Sequence, residues 1–378
     1  MRETISLKKC SGYDPDEVME KVTEALELLG GVSRFVSPGE RILIKPNLLT
    51  AKPVDAAVTT HPSLVRALIR LVQKAGGTPF VGDSPAIGTA QKVAERCEIL
   101  DVCEAEGVEF TGFDEAVVVD NPEGHIFKRL EVARAAISAD GIINVAKLKT
   151  HAQMLLTMGV KNIFGCVPGK RKPQWHLSAG VDTSHFANMI LDLYLFIKPR
   201  LTVMDAVIAM EGNGPASGEP RTVGLIAAGE DALGVDALCA RILGVEAEEV
   251  PILAAAIERG LRGARLNSAK ILGDAPELFT VKNFKLPPLV HTRFTEGLPS
   301  FLGKGLRKSL TARPHIIHSK CTHCDLCVGV CPARIMTSAS RIKIDYDKCI
   351  RCFCCQEMCP NEAITSKSGF LKKIIPGL

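Results

Sequence analysis

The sequence predicts an α/β domain with a mostly parallel sheet, followed by a small α+β module at the C-terminal end. Three observations carry this prediction. Over roughly the first 280 residues, short apolar runs alternate with stretches of helical periodicity, the pattern of βαβ units. Residues 284–316 break that rhythm with clustered Pro and Gly. Beyond them, two runs of cysteine repeat one spacing. We therefore expect an α/β domain over 1–283, a linker over 284–316, a small module over 317–366 and a tail over 367–378.

The elements follow in order. Arg41-Ile-Leu-Ile-Lys45 is a short apolar run stopped by Pro46-Asn47, which predicts a strand and then a loop. After His61-Pro62-Ser63, residues Leu64, Val65, Leu68, Ile69 and Val72 share one helical face, and Gly76-Gly77 supplies a left-handed stop. Thr78–Asp83 reads as the next strand, and 138–145 and 200–205 as two more. In parallel open sheets, ligands gather outside the carboxyl ends of the strands. Asn47, Asp83, Lys147 and Asp205 all fall at or just past such ends, so they are candidates for one cleft. The linker's apolar content suggests that it packs across a neighbour, and the basic, apolar tail that it docks on its own protein.

The cysteine runs carry the most specific chemistry. Cys321, Cys324, Cys327 and Cys331-Pro332 form one, and Cys349, Cys352, Cys355 and Cys359-Pro360 the other. Both match C-x2-C-x2-C-x3-C-P, in which three thiolates hold one iron–sulfur cube and the fourth completes the other. The spacing predicts two 4Fe-4S clusters, one on Cys321, Cys324, Cys327 and Cys359, the other on Cys349, Cys352, Cys355 and Cys331. Zinc ribbons want four ligands per ion and lack this doubled pattern. Cys354, beside Cys355, competes for that corner. Arg341–Asp345 alternates as a hairpin strand between the runs, and residues 316–366 resemble a dicluster bacterial ferredoxin.

A second concentration of polar residues lies between 144 and 185. Lys147 and Lys149 leave one side of an extended strand, followed by His151, Lys161, Asn162, Lys170, His176 and His185 among several glycines. Ammonium groups neutralise a carboxylate or phosphate, and glycine allows close approach. We assign Lys147, Lys149, His151 and His176 to catalysis, the histidines as proton donors. Asn47, Asp83, Lys161, Asn162, Lys170, Glu211 and Asn213 are assigned to substrate binding. A metal on His151, His176 or His185 lacks any supporting spacing. Cys166 reads equally as a reactive thiol or as a buried structural one. The glycine-dense stretch 209–218 reads as a backbone wall of the cleft; it fits neither a dinucleotide fingerprint nor a phosphate loop.

Taken together, Ile44-Lys-Pro-Asn47, Val81-Gly-Asp83-Ser-Pro85, Lys147-Leu-Lys-Thr-His151, Val160-Lys-Asn-Ile-Phe-Gly165 and Met210-Glu-Gly-Asn-Gly-Pro215 resemble the domain of unknown function 362 family. The resemblance runs over about residues 5–280. It implies a redox-type iron–sulfur protein with the dicluster module as its C-terminal part.

Composition narrows the functions. A net charge of +4 with scattered Lys and Arg, and only 5% aromatic residues, gives no basic stripe for nucleic acid. No window reaches about eighteen uninterrupted apolar residues, so no transmembrane helix is expected. The N-terminal residues lack the apolar core of a secretory signal, and cluster thiols must stay reduced, so the expected location is cytoplasmic. The leading expectation is an oxidoreductase that passes electrons from the clusters to a small anionic substrate in the Lys/His cleft, supplied by a redox partner. One alternative is an electron carrier that docks a partner without chemistry of its own. Another is a non-redox isomerase whose clusters are structural or regulatory. No motif indicates flavin or nicotinamide, and a homodimer is compatible with the sequence.

Overall fold

The computed structural model describes residues 3–86, 88–288 and 312–368. Most of the segment read as a linker, 289–311, and the tail from 369 onward lie outside these residues.

The strands of the large domain are β1 (Thr4–Lys9), β2 (Arg41–Lys45), β3 (Thr78–Asp83), β4 (Glu109–Gly112), β5 (Ala116–Asp120), β6 (Arg129–Ala133), β7 (Gly141–His151), β8 (Leu155–Thr157), β9 (Leu201–Glu211), β10 (Glu219–Gly229) and β11 (Lys270–Gly273). Nine of them make one sheet in the order β11-β1-β10-β9-β7-β2-β3-β4, with β8 paired to β7; β5 and β6 form a separate hairpin. From β9 through β7, β2 and β3 to β4 every pairing is parallel. The antiparallel steps join β1 to β10, β10 to β9 and β7 to β8. The mostly parallel sheet expected from the sequence is present.

Alternation along each strand divides the core in two. Ile42, Ile44, Ile143 and Val145 pack under the helices Pro15–Leu28 and Pro62–Lys74. Leu43, Ile142 and Ala146 pack on the other face, with the helices Thr183–Ile197 and Ala232–Ile242. All eleven residues of β7 are buried, which puts the candidate lysines of this strand at the centre of the molecule. Burial of each large aliphatic side chain contributes about 1.5–3 kcal/mol.

Local signals set the helix boundaries. His61 caps Pro62–Lys74 by accepting a hydrogen bond from the Ser63 N–H, and Pro62 fills the first turn, where no donor is needed. At the other end Gly76 takes φ +84°, and the Gly77 N–H closes back on Val72 O.

The C-terminal module contains β12 (Arg313–Ile316), β13 (Met336–Thr337), β14 (Lys343–Ile344) and β15 (Ile364–Lys367). β12 pairs antiparallel with β15, and β13 with β14. Here the structure departs from the sequence reading: Arg313–Ile316, placed in the linker, is an edge strand of the module. Its Pro314 and its brevity hid it, since proline is tolerated only where no ladder donor is required. The expected Arg341–Asp345 strand shrinks to Lys343–Ile344.

Candidate functional site

The strand order arranges the candidate charges in a row. Asp205 stands on β9, Lys147 and Lys149 on β7, Lys45 on β2 and Asp83 on β3, four neighbouring strands. The outer members pair off. Lys45 Nζ lies 2.9 Å from Asp83 Oδ1, and Lys147 Nζ lies 2.9 Å from Asp205 Oδ2, all four side chains being buried. Tyr13 completes the second pair: its hydroxyl donates to Asp205 Oδ1 and accepts from Lys147 Nζ. Gly165 packs against the first pair, where a Cβ would collide with Asp83 Oδ1 and Lys45 Nζ.

Lys149, between the pairs, has no carboxylate partner among the described residues. It donates to Asn47 Oδ1 at 2.7 Å and to Val58 O at 2.6 Å. Burial first, then the charges of Lys147 and Lys161, push its amine down to about 7.

Lys149 opens into a cleft with about 730 Å³ of space between its atoms, part of it open to solvent. Only about 80 Å³ of it admits the centre of a water-sized sphere, so the enclosed part suits a small ligand. The α/β domain supplies Asn47, Asp83, Lys149, His151, Thr157, Lys161, Asn162, Phe164, Lys172 and His176 to its walls. The module supplies Val330, Cys354, Glu357 and Met358.

Lys161 stands 4.7 Å from the Phe164 ring centroid, and among the described residues no acceptor pairs with its ammonium. Burial pushes it downward. Lys172 donates to the carbonyl oxygens of Ser84 and Pro85, and burial lowers it to about 8. His176 stacks on Phe186, its Nδ1 has no partner among the described residues, and burial holds it at about 3. His151 Nδ1 accepts from the N–H groups of Gln153 and Met154. Its ring hydrogen therefore sits on Nε2, 3.1 Å from Glu357 Oε1. Burial disfavours the charged form of both imidazoles.

The structure thus gathers Asn47, Asp83, Lys149, His151, Lys161, Asn162 and His176 at one cleft, as expected. Others fall elsewhere. Lys147 is consumed by Asp205 and Tyr13 and lines no part of the hollow. Glu211 accepts from the Lys285 N–H and anchors the start of the following segment. Asn213 binds the module: Gln356 donates to its side-chain oxygen, and its own amide donates to Ile364 O. The Lys170 side chain lies outside the described residues. Cys166 is buried, and burial pushes its thiol up to about 12, which disfavours the reactive thiolate. His185 lies outside the cleft, its N–H bonded to the Asp182 carboxylate at a helix start. Sequence reasoning missed Thr157, Lys172 and Glu357. Lys172 had a signal, the basic cluster after Pro168-Gly169; Glu357 was hidden inside a cysteine run.

The module repeats itself. His323, Asp325 and Arg334 have positive φ, and Arg351, Phe353 and Glu362 repeat this at the equivalent places of the second run. Left-handed backbone at non-glycine residues costs energy and persists where the surroundings demand it. Here it turns successive cysteines inward. One hollow is lined by Cys321, Cys324, Cys327 and Cys359. The other is lined by Cys331, Cys349, Cys352 and Cys355. These are the two sets that the spacing predicted. Four thiols around an apolar-walled hollow form the donor set of a 4Fe-4S cluster. No three His, Cys, Asp or Glu among the described residues converge on a single-ion site. The first hollow faces outward, with Cys324 exposed; Cys352 and Cys355 of the second are buried. Cys354, in the helix Cys354–Glu357, turns to the cleft wall beside the second hollow.

Residues 42–241 match the family described as Domain of unknown function (DUF362), and residues 313–360 match the 4Fe-4S dicluster domain. A thylakoid-associated protein of Synechocystis sp. is 41% identical over 293 residues, covering 77% of this chain and 89% of that protein. The lactate racemase apoprotein of Thermoanaerobacterium thermosaccharolyticum aligns with a TM-score of 0.43 at 12% identity, over 64% of this chain. A Thermotoga maritima protein aligns at 0.37 and 11%, over 60%. The chain spans 57% of each of these two structures, and similarity at that level speaks to neither substrate nor reaction. Among the described residues no helix is long and apolar enough to cross a membrane. The chain belongs to the DUF362 family and ends in a 4Fe-4S dicluster domain.

Proposed function

We propose that the protein is an iron–sulfur oxidoreductase that reduces a small anionic substrate in the Lys/His cleft. The observation that carries this reading is the shared wall. Lys149, Lys161 and His176 face the same hollow as Cys354 and Glu357, which flank the cluster ligand Cys355. In this reading Cys321, Cys324, Cys327 and Cys359 hold one cluster, and Cys331, Cys349, Cys352 and Cys355 the other. When bound, such clusters supply electrons one at a time, at potentials from about −700 to +450 mV according to their surroundings.

The chain's own residues do the rest. Lys161, with its donors unspent, neutralises the anion. Phe164, Leu48 and Met358 exclude water and so strengthen that contact. Glu357 is held against His151, which fixes the module's helix to the cleft floor. Lys45 and Lys147, already paired, keep the strand ends in register.

The test uses anaerobically prepared protein and a panel of carboxylates (acetate, pyruvate, succinate). Binding near Cys355 is expected to perturb the electron paramagnetic resonance of the reduced protein. Lys161→Met is expected to weaken that response about tenfold, the loss of one charge-assisted contact, with iron content unchanged. If the panel changes nothing, and Lys161→Met still passes electrons to an added carrier protein like the wild type, the electron-carrier reading replaces this one.

A further inference from the structure

We propose that the Lys149 amine captures the carbonyl carbon of a 2-oxo acid as an imine, with the acid's carboxylate at Lys161. The inference rests on the cleft being the substrate site and adds the substrate's class.

Of the three lysines at the strand ends, Lys149 is the one with no carboxylate partner among the described residues. Lys45 has Asp83 and Lys147 has Asp205. An unpaired ammonium buried in this way is costly, and losing a proton removes the cost. The hydrogen bonds fit the neutral form. A neutral amine carries two hydrogens, and two acceptors face it, Asn47 Oδ1 and Val58 O. Its lone pair then remains for the cleft.

The orientation of Asn47 is fixed by a chain of amides. Its Nδ2 donates to Asn162 Oδ1, Asn162 Nδ2 donates to Asn144 Oδ1, and Asn144 Nδ2 donates to Gly159 O. The Asn47 oxygen must therefore face Lys149. This is a second use of buried polar residues that otherwise look like plain scaffolding. Burial and neighbouring cations depress a lysine in the way that makes it a nucleophile near neutral pH.

The step balances. The nitrogen lone pair forms the C–N bond and the carbonyl π bond opens. Both amine hydrogens leave with the carbonyl oxygen as water, giving the imine. No oxidant or reductant is consumed. A proton taken from water gives the iminium, whose single N–H keeps one of the two acceptors. Lys161, in the same cleft with no acceptor of its own among the described residues, holds the adjacent carboxylate. A 2-oxo acid carries both groups on neighbouring carbons; a simple aldehyde carries only one.

The experiment traps the imine. The full-length protein is incubated with pyruvate and cyanoborohydride, digested, and mapped by mass spectrometry; no turnover is needed. A carboxyethyl group on Lys149, saturating with pyruvate, is expected ahead of any exposed lysine. Lys161→Met should cut that labelling about tenfold, and labelling by uncharged propanal far less, by only the share of neutral amine lost when a neighbouring cation is removed. The proposal is overturned if exposed lysines are labelled and Lys149 is not. It is also overturned if Lys161→Met lowers pyruvate and propanal labelling alike. Labelling of Lys149 without any carboxylate effect on the clusters would remove the reductase reading and keep this one. The reverse pattern would remove only the imine.

Discussion

Lys45 and Asp83 are almost wholly buried, so each depends on the other. Removing one partner of such a pair leaves an uncompensated buried charge and costs about 3–5 kcal/mol. Lys45→Met is expected to lose that much in urea unfolding at unchanged m-value, and Lys45→Met with Asp83→Asn to recover most of it. Lys149 should show itself through pH. Its folded value, near 7, lies below the ordinary 10.5. Between these values the unfolded chain binds the extra proton, so this site's contribution to stability rises with pH through that window and is lowest below it. The expected slope is at most about 1.4 kcal/mol per pH unit. It should appear as the difference between wild type and Lys149→Met; a flat difference from pH 7 to 10 would contradict the assignment. At this scale the sequence shows lysines that look alike. Lys147, Lys149 and Lys161 all sit among apolar residues and glycines, and only the positions of Asp205 and Tyr13 separate the first from the others.

The helix Cys354–Glu357 is one turn long and belongs to two structures at once. Cys355 faces the inner hollow, Cys354 and Glu357 face the cleft, and Gln356 reaches the loop after β9. The Asn213–Gln356 contact is therefore a latch between domains. Asn213→Ala and Gln356→Ala are each expected to cost about 1 kcal/mol. Together they should cost clearly less than the sum, because both break one interaction. Strict additivity in a double-mutant cycle would show that the contact is not made in solution. Elements were legible where pattern and punctuation agreed, as in Pro62–Lys74 with its apolar face, proline start and glycine stop. β12 was not legible, because its partner, β15, lies beyond both cysteine runs and its own four residues include a proline.

The molecule as a whole combines a self-sufficient body with a dependent one. The sheet has two extensive apolar cores, one on each face. The module's core is small and includes its own cysteines, Cys327 and Cys355, beside Ile316, Met336, Ile342 and Ile364. A core of that size seldom holds a fold without a metal or other staple. Iron removal by chelation should therefore release the β12–β15 amides to hydrogen exchange while those of β7 stay protected. Equal loss in both regions, or in neither, would contradict this division. It follows that the cleft, walled by both bodies, is complete only when the module is folded.

The sequence by itself determined what is local. A strand's alternation, a helix's caps and the spacing of thiols around a hollow are all set within a few residues, so each could be read directly. The tertiary structure alone decided which lysine is left unpaired, that Glu211 and Asn213 serve the frame, and that Glu357 faces His151. Those outcomes depend on strand order and on burial shared between residues far apart in the chain. Short-range pattern holds no record of them.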